Sequence, residues 1–497
     1  MRALLVSPEY PETFWNFTHA LRFIGKKAPH PPLGLLTVAA MLPAEWELRL
    51  VDMNVEPLRD EALRWADLVC ISAMSVQSAS VRAVMARGKA AGVPILAGGP
   101  LFTTAPDDFP AVDYLVLNEA EVTLPRFLED FQHGRARPRY TDAAHADLAA
   151  TPIPRWDLLR ARAYAAMSVQ LSRGCPFDCE FCNITSLYGR VPRVKDAARV
   201  TAELDAVYQM GWRGPVFFVD DNFIGNKRRV KTEILPAISD WMTAHRHPFI
   251  FNAQVSLNLA DDPELLALLT RAGFITVFIG IESPNDDSLA ECNKIPNADR
   301  DLIASVKTIQ RAGLQVQAGF IVGFDSDPVS IFDRVAAFIQ ESGIATAMVG
   351  LLNAPRGTRL YQRLEAEGRL TGDMTGDNTD GSLNFTPTMQ RDTLLQGYRR
   401  IIESIYAPGN YYARVLTFLR DFHPTLPAVR VTPATLLAGL RCAWILGLRE
   451  QERREYWRLV FWSLIHAPRL LPLAIELAAY GFHFRKCFER HWAESGA

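Results

Sequence analysis

From its first residues the chain alternates short apolar runs with longer stretches of helical period. Residues 3–7, 48–52, 68–72, 95–98 and 114–117 are runs of four or five mainly apolar residues, the length of buried strands. Between two of them, residues 81–91 (VRAVMARGKAA) put apolar side chains at helical spacing and charges on the outer positions. Such alternation over residues 1–145 predicts an α/β unit, an open parallel sheet with helices on both faces. Ligands of these sheets sit beyond the C-terminal ends of the strands. The sequence places Asp52-Met53-Asn54, Ser72 to Ser75, Gly98-Gly99-Pro100 with Thr103-Thr104, and Asn118-Glu119-Ala120-Glu121 there. Gly98-Gly99 alone reads as a tight turn as readily as a binding loop.

Residues 155–372 repeat the strand–helix unit. Strands are expected at 167–171, 216–219, 249–252, 277–281, 317–322 and 348–352, with helices including 198–209, 263–272 and 303–312. Six parallel units with right-handed crossovers make a partly closed barrel with its helices outside. The chemistry of a parallel barrel lies at the C-terminal mouth of its strands. Asp220-Asp221-Asn222, Gln254 and Ser256, Glu282-Ser283, and Gly323 with Asp325 fall at those strand ends. For Asp221 and Asp325 a helix N-cap is an equal alternative to a binding role.

After a polar connector at 373–380, residues 375–497 turn helical, with stretches at 394–406, 411–421, 434–448 and from 455 onward. The run 459–468 (LVFWSLIHAP) is free of charge, aromatic, and flanked by Arg458 and Arg469. Packing on the barrel is the default for such a stripe. An interfacial helix pair, or a cover for an apolar substrate, is the other reading.

Charge narrows the partners. With 53 basic against 55 acidic residues, the chain has no electrostatic footprint for nucleic acid. Residues 1–7 begin a strand and lack the apolar length of a signal peptide. No run approaches the roughly 18 apolar residues of a membrane span. A reducing cytoplasm is the expected location, with peripheral membrane contact left open by the C-terminal helices.

The densest chemistry is in Arg173-Gly174-Cys175-Pro176-Phe177-Asp178-Cys179-Glu180-Phe181-Cys182, directly after the first barrel strand. Three thiolates spaced C-x3-C-x2-C can converge on one soft metal centre. Zinc usually takes four ligands in two separated pairs, and Cys70, Cys292, Cys442 and Cys487 stand alone in the sequence. Seven cysteines in a long chain also argue against a disulfide framework.

Three cysteines with an aromatic, Phe181, before the last resemble the radical S-adenosylmethionine (SAM) superfamily. There they hold a 4Fe–4S cluster whose open iron chelates SAM. With the N-terminal unit, Pro31-Pro32-Leu33-Gly34-Leu35-Leu36 and Asn118-Glu119-Ala120-Glu121, the chain resembles the cobalamin-dependent radical SAM enzymes, in the group that contains the hopanoid C-2 methylases. The carrying stretches are 172–184, 217–226, 280–283 and 319–325. The resemblance implies Cys175, Cys179 and Cys182 on the cluster. It implies Phe181, Asp221, Gln254, Glu282, Ser283 and Gly323 around SAM. Around cobalamin it implies Leu33, Gly34, Asp52, Ser72, Gly98, Gly99, Thr103, Asn118 and Glu119. Asn118 stands where the group usually has Gly, and Gln254 where relatives often have Glu. No Asp-x-His-x-x-Gly motif occurs, which implies cobalamin without a histidine ligand; His19 and His30 are explained as well by loop surface positions.

The implied activity is methylation of an unactivated carbon. A 5′-deoxyadenosyl radical abstracts hydrogen and methylcobalamin supplies the methyl group. An external one-electron donor of flavodoxin or ferredoxin type is implied, and a small, largely apolar substrate. A homolytic step needs no general base, so none is assigned. A cobalamin-assisted cyclisation or rearrangement is the alternative.

Overall fold

A computed structural model describes residues 1–377, 379–424 and 432–494; Asn378 of the expected connector and the last three residues lie outside the described residues. Six strands make the N-terminal sheet: β1 (Arg2–Ser7), β2 (Glu47–Asp52), β3 (Leu68–Ser72), β4 (Ile95–Gly98), β5 (Tyr114–Val116) and β6 (Arg139–Tyr140). They are parallel, in the order β2-β1-β3-β4-β5-β6. Alternate side chains of β1 feed opposite cores: Leu4 and Val6 join one face, Ala3 and Leu5 the other. That two-sided burial explains why these strands read as apolar runs rather than alternating ones. The short edge strand β6 carries Arg139 and Tyr140 and gave no apolar run to detect.

The second sheet holds β7 (Met167–Val169), then, after the small antiparallel ribbon of β8 (Ser172–Arg173) and β9 (Arg193–Val194), β10 (Gly214–Phe218), β11 (Phe249–Gln254), β12 (Phe274–Glu282), β13 (Gln315–Val322) and β14 (Ala347–Leu351). Its order, β7-β10-β11-β12-β13-β14, follows the chain, and every pair is parallel. The expected first barrel strand ends early. Leu171 and Ser172 leave the sheet because their backbone N–H groups donate to the buried Asp220 carboxylate, which also accepts from Ser172 Oγ at 2.6 Å.

The C-terminal helices Arg391–Tyr406, Pro408–Asp421, Pro433–Trp444, Arg453–His466 and Leu471–Glu494 pack on the barrel. Leu394, Tyr398, Tyr411, Leu459 and Phe484 belong to the same continuous core as the barrel strands. The helical stretch expected from residue 455 onward is divided into two helices at Ala467-Pro468, where proline opens the short 3₁₀ turn Pro468–Leu470. Among the described residues, no helix is long and apolar enough to cross a membrane.

Candidate functional site

The cysteine loop leaves β8 through Gly174, whose φ of +94° is open to glycine; a Cβ there would lie 2.9 Å from the Gly189 carbonyl. Backbone bonds then shape the loop: Cys175 N to Gly189 O at 3.3 Å, Cys182 N to Cys179 O at 3.1 Å, Glu180 N to Cys292 O at 2.9 Å. Asn293 Nδ2 and Arg359 Nη2 donate to the Asp178 carbonyl at 2.9 and 2.6 Å, and Arg363 grips Glu180 at 2.8 and 3.1 Å. The three thiols are free and half-buried, and near enough to perturb one another. Burial pushes the Cys182 thiol up to about 12, so thiolates there need a compensating cation. One lies at hand: the positive charge of Lys294 favours the thiolate form of all three. A trio of close thiols on a preorganised loop fits the three cysteine ligands of a 4Fe–4S cluster. Cys292, distant in sequence, packs behind this loop, but its thiol points at the Leu289 carbonyl at 3.6 Å and sits among Phe324, Leu352 and Phe385.

Lys294 donates to Glu282 Oε1 at 2.5 Å, and the two side chains are 15 % and 8 % exposed. Glu282 ends β12 with φ of +66°, a strained conformation for a side-chain-bearing residue. Gly280 makes room for the pair, since a Cβ there would fall 2.1 Å from Glu282 Oε1. The sequence offered no signal for Lys294 or Arg363; each acts through the tertiary fold.

A cavity of about 3220 Å³ runs along the inner face of the barrel sheet, from the strand starts at Gly214, Phe249 and Gln315 to the C-terminal mouth. The cysteine loop reaches it at Phe181, Cys182 and Asn183, and Gln254 and Glu282 line it. From the N-terminal sheet Met74, Ser75, Val76, Pro100, Leu101 and Thr104 line it, at the C-terminal ends of β3 and β4. Its apolar walls include Trp15, Phe17, Phe217, Phe278 and Met348, and Leu440, Trp457, Val460 and Leu473 from the C-terminal helices.

The other expected site residues do not line this space, and their polar groups have protein partners. Asp221 accepts weakly from Gly174 N at 3.4 Å, and burial pushes its carboxyl up to about 6. Ser283 is fully buried and accepts from Asn285 N at 3.2 Å. Gly323, at φ +106°, donates its N–H to Asp327 at 2.8 Å. Asp325 pairs with Arg363, Arg369 and Thr388, which hold its carboxyl far below the usual range, rather than capping a helix.

On the cobalamin side, a Cβ on Gly98 would meet the Val116 carbonyl at 2.5 Å, and one on Gly99, at φ +90°, would meet Ser72 Oγ at 2.7 Å. Thr103 Oγ1 accepts from Asn118 N at 3.0 Å. Asn118 takes the positive φ, +62°, that a glycine would take more easily. Leu33 and Gly34 open the helix Leu33–Met41, and Asp52 accepts from Tyr164 Oη at 2.8 Å and Asn54 N at 3.0 Å.

Glu119 has a different environment from the one a ligand contact would give it. Its carboxylate accepts from Arg193 at 2.5 and 2.9 Å, from Arg173 at 3.0 Å and from Ala146 N at 3.2 Å, while Arg173 also pairs with Glu121 at 2.6 Å. It bolts the N-terminal sheet to the ribbon that carries the cysteine loop. Burial would raise its pKa, but the hydrogen bonds and charges of Arg193 and Arg173 outweigh it and bring it below the usual value. His30 is exposed and faces the cavity, 5.1 Å from the Phe217 ring, whereas His19 is half-buried. His19 lies against His483.

A clustered thiol trio on a parallel barrel, facing the strand ends of a second parallel sheet across one cavity, defines a radical SAM enzyme with an N-terminal cobalamin module. Comparison with known proteins agrees. The chain matches the B12 binding domain over residues 26–128, the radical SAM superfamily over 169–339, and a domain of unknown function (DUF4070) over 358–495. An uncharacterized methyltransferase of Synechocystis sp. (strain PCC 6803) is 40 % identical over 490 residues, covering 97 % of this chain and 91 % of the relative. The hopanoid C-2 methylase of Rhodopseudomonas palustris (strain TIE-1) is 32 % identical over 478 residues, covering 93 % and 89 %. Two solved structures share the fold. The radical SAM methyltransferase TsrM of Kitasatospora setae, with cobalamin and a [4Fe-4S] cluster, has a TM-score of 0.61 at 14 % identity over 98 % of this chain and 99 % of that one. The cobalamin-dependent radical SAM enzyme OxsB, with aqua-cobalamin, has a TM-score of 0.62 at 13 % identity over 100 % and 80 %. The chain belongs to the cobalamin-dependent radical SAM methyltransferase family, and its cofactors are a 4Fe–4S cluster, SAM and cobalamin.

Proposed function

We propose that this enzyme methylates an unactivated carbon of a largely apolar small molecule, and that the substrate enters between the C-terminal helices. The observation that carries the reading is the continuity of the cavity. One space touches the cysteine loop, the ends of β3 and β4, and an apolar wall from residues 436–473. Leu436 and Leu440 line that space and are 59 % and 62 % exposed. Beside them Leu437, Trp444, Leu448, Phe461, Leu464 and Ile465 stand exposed. A concentration of exposed apolar side chains on two helices suits a binding surface. With Arg458 and Arg469 beside the run, it suits a bilayer surface from which a lipid-like substrate is drawn.

Cys175, Cys179 and Cys182 would hold the cluster, with SAM against Phe181, Gln254 and Glu282. Cobalamin would lie over the ends of β3 and β4, on the ledge that Ser72, Gly98, Gly99 and Thr103 form. When bound, cluster and SAM together supply homolytic hydrogen abstraction and cobalamin supplies the methyl group. The chain's own part is positional. Lys294 balances the thiolates and orients Glu282 towards the cavity. The Glu119–Arg193–Arg173 bolt sets the distance between the two cofactor ledges. The aromatic walls keep water from the reacting carbon. An external reductant is required, and we assign it to the flavodoxin or ferredoxin type.

The test is anaerobic turnover. Enzyme reconstituted with iron, sulfide and methylcobalamin is given methyl-labelled SAM, reductant and extracted lipids, and products are read by mass spectrometry. Both 5′-deoxyadenosine and S-adenosylhomocysteine, with label on a lipid, are expected. 5′-Deoxyadenosine without S-adenosylhomocysteine would replace methylation by a rearrangement or cyclisation, and label confined to a sugar-like polar product would overturn the apolar substrate.

A further inference from the structure

Three metal-ligating side chains from opposite ends of the sequence meet, with a carboxylate behind one of them. His19 follows the 3₁₀ turn Phe14–Asn16, and Glu12 precedes it. His483 and Cys487 lie four residues apart on the helix Leu471–Glu494, so both project from one face. The ligand atoms of His19, His483 and Cys487 all lie within 4.8 Å of one another. Cys487 Sγ is 3.4 Å from His483 Nδ1. Glu12 Oε1 is 2.7 Å from His19 Nε2, and its carboxylate is also within hydrogen-bonding reach of the Cys487 thiol.

The second partners of these groups are arranged as metal ligands need. His483 Nε2 lies 3.0 Å from the Phe14 carbonyl, which can only accept, so the proton sits on Nε2 and leaves Nδ1 unprotonated, with Cys487 Sγ 3.4 Å from Nδ1 and 3.5 Å from Nε2. Arg490 Nη1 holds Glu12 Oε2 at 2.9 Å and leaves Oε1 facing the histidine. His483 and Cys487 are buried, while His19 and Glu12 are 15 % and 16 % exposed and leave a path for an ion. One thiolate and two imidazoles form a three-donor set of mixed softness that suits tetrahedral zinc with one further position open, and the Glu12 carboxylate orients His19 from behind.

We propose that His19, His483 and Cys487 form a zinc site, with Glu12 holding His19 from behind, that staples the N-terminal segment to the C-terminal helix. Between Glu12 and His19 lie Trp15 and Phe17, which line the large cavity. Closing the staple therefore fixes two aromatic walls of that cavity, and the site is structural rather than part of the radical chemistry.

The experiment uses the full-length, cluster-loaded enzyme, dialysed with zinc and then against a competing chelator, with metals counted by mass spectrometry and zinc examined by X-ray absorption. About one zinc per chain is expected, with a single sulfur neighbour at ~2.3 Å and nitrogen or oxygen neighbours at ~2.0–2.2 Å. Cys487→Ser should remove the sulfur neighbour and weaken retention at least about tenfold, and His19→Gln should weaken it at least about tenfold too. Zinc should raise the melting temperature of the wild type and leave that of His19→Gln unchanged. Because His19 is partly exposed, its variant decides the matter should Cys487→Ser fail to fold. No retained zinc would overturn the site. So would zinc with three sulfur neighbours that survives Cys487→Ser, since that ion would occupy Cys175, Cys179 and Cys182.

Discussion

Single residues at the cysteine loop combine covalent and electrostatic roles that substitution separates. Cys179→Ala should abolish cluster iron and SAM cleavage while cobalamin stays bound, because the two cofactor ledges belong to different sheets. Iron content, 5′-deoxyadenosine formation and the cobalamin spectrum check this, and iron with SAM cleavage in the variant would refute the ligand assignment. The Glu282–Lys294 pair is nearly closed to solvent. Breaking it from one side leaves an uncompensated buried charge. Glu282→Gln should cost about 3 kcal/mol of stability in denaturant titration. Lys294→Met added to Glu282→Gln should restore part of that loss, since neither charge then remains buried alone.

Elements meet through close contacts that allow little change. In the helix Leu471–Glu494, a Cβ on Gly481 would lie 2.3 Å from Tyr411 Cε1, on the neighbouring helix Pro408–Asp421. Gly481→Ala should therefore destabilise the chain by about 1–3 kcal/mol in thermal unfolding, although alanine is the better helix former. The contact between the N-terminal sheet and the β8–β9 ribbon carries a pH dependence. Glu119 has a lowered pKa in the folded chain, so the bolt contributes fully above the ordinary glutamate value of 4.5 and weakens as pH falls below it. Between about pH 5 and 3 the cluster-free enzyme should lose stability, and Glu119→Gln should flatten that slope. A slope unchanged in Glu119→Gln would assign the acid sensitivity elsewhere.

At the scale of the whole molecule, the C-terminal helices have two faces. One shares a continuous core with the barrel; the other exposes Leu440, Phe461 and Ile465. Co-sedimentation with anionic lipid vesicles should occur at low ionic strength. Leu440→Glu with Ile465→Glu should reduce the bound fraction severalfold, because the charges must then enter the interface. The same variant should keep its melting temperature, as neither side chain is in the core. Binding unaffected by the double substitution would remove the patch from any membrane role.

Much of this was legible from the chain alone. Strands buried on both faces must be apolar throughout, so the inner strands of the N-terminal sheet stood out as runs, and three cysteines in eight residues need no fold to bring them together. Family resemblance then pointed to Glu282 and Phe181, and both line the cavity. What the tertiary structure decided is every function that depends on distance in space between residues far apart in sequence. Glu119 looked like a ligand contact and is a bolt, because Arg173 and Arg193 come to it from a ribbon more than 50 residues away. Lys294 reaches the cysteines through a turn whose sequence carries no mark of it. His19 and Cys487 read as an ordinary loop histidine and a solitary thiol, and only the packing of the last long helix on the first turn makes them neighbours. Local pattern determines which elements form, because periodicity and burial are properties of a short stretch. Convergence of donors and charges is a property of packing, and no single stretch contains it.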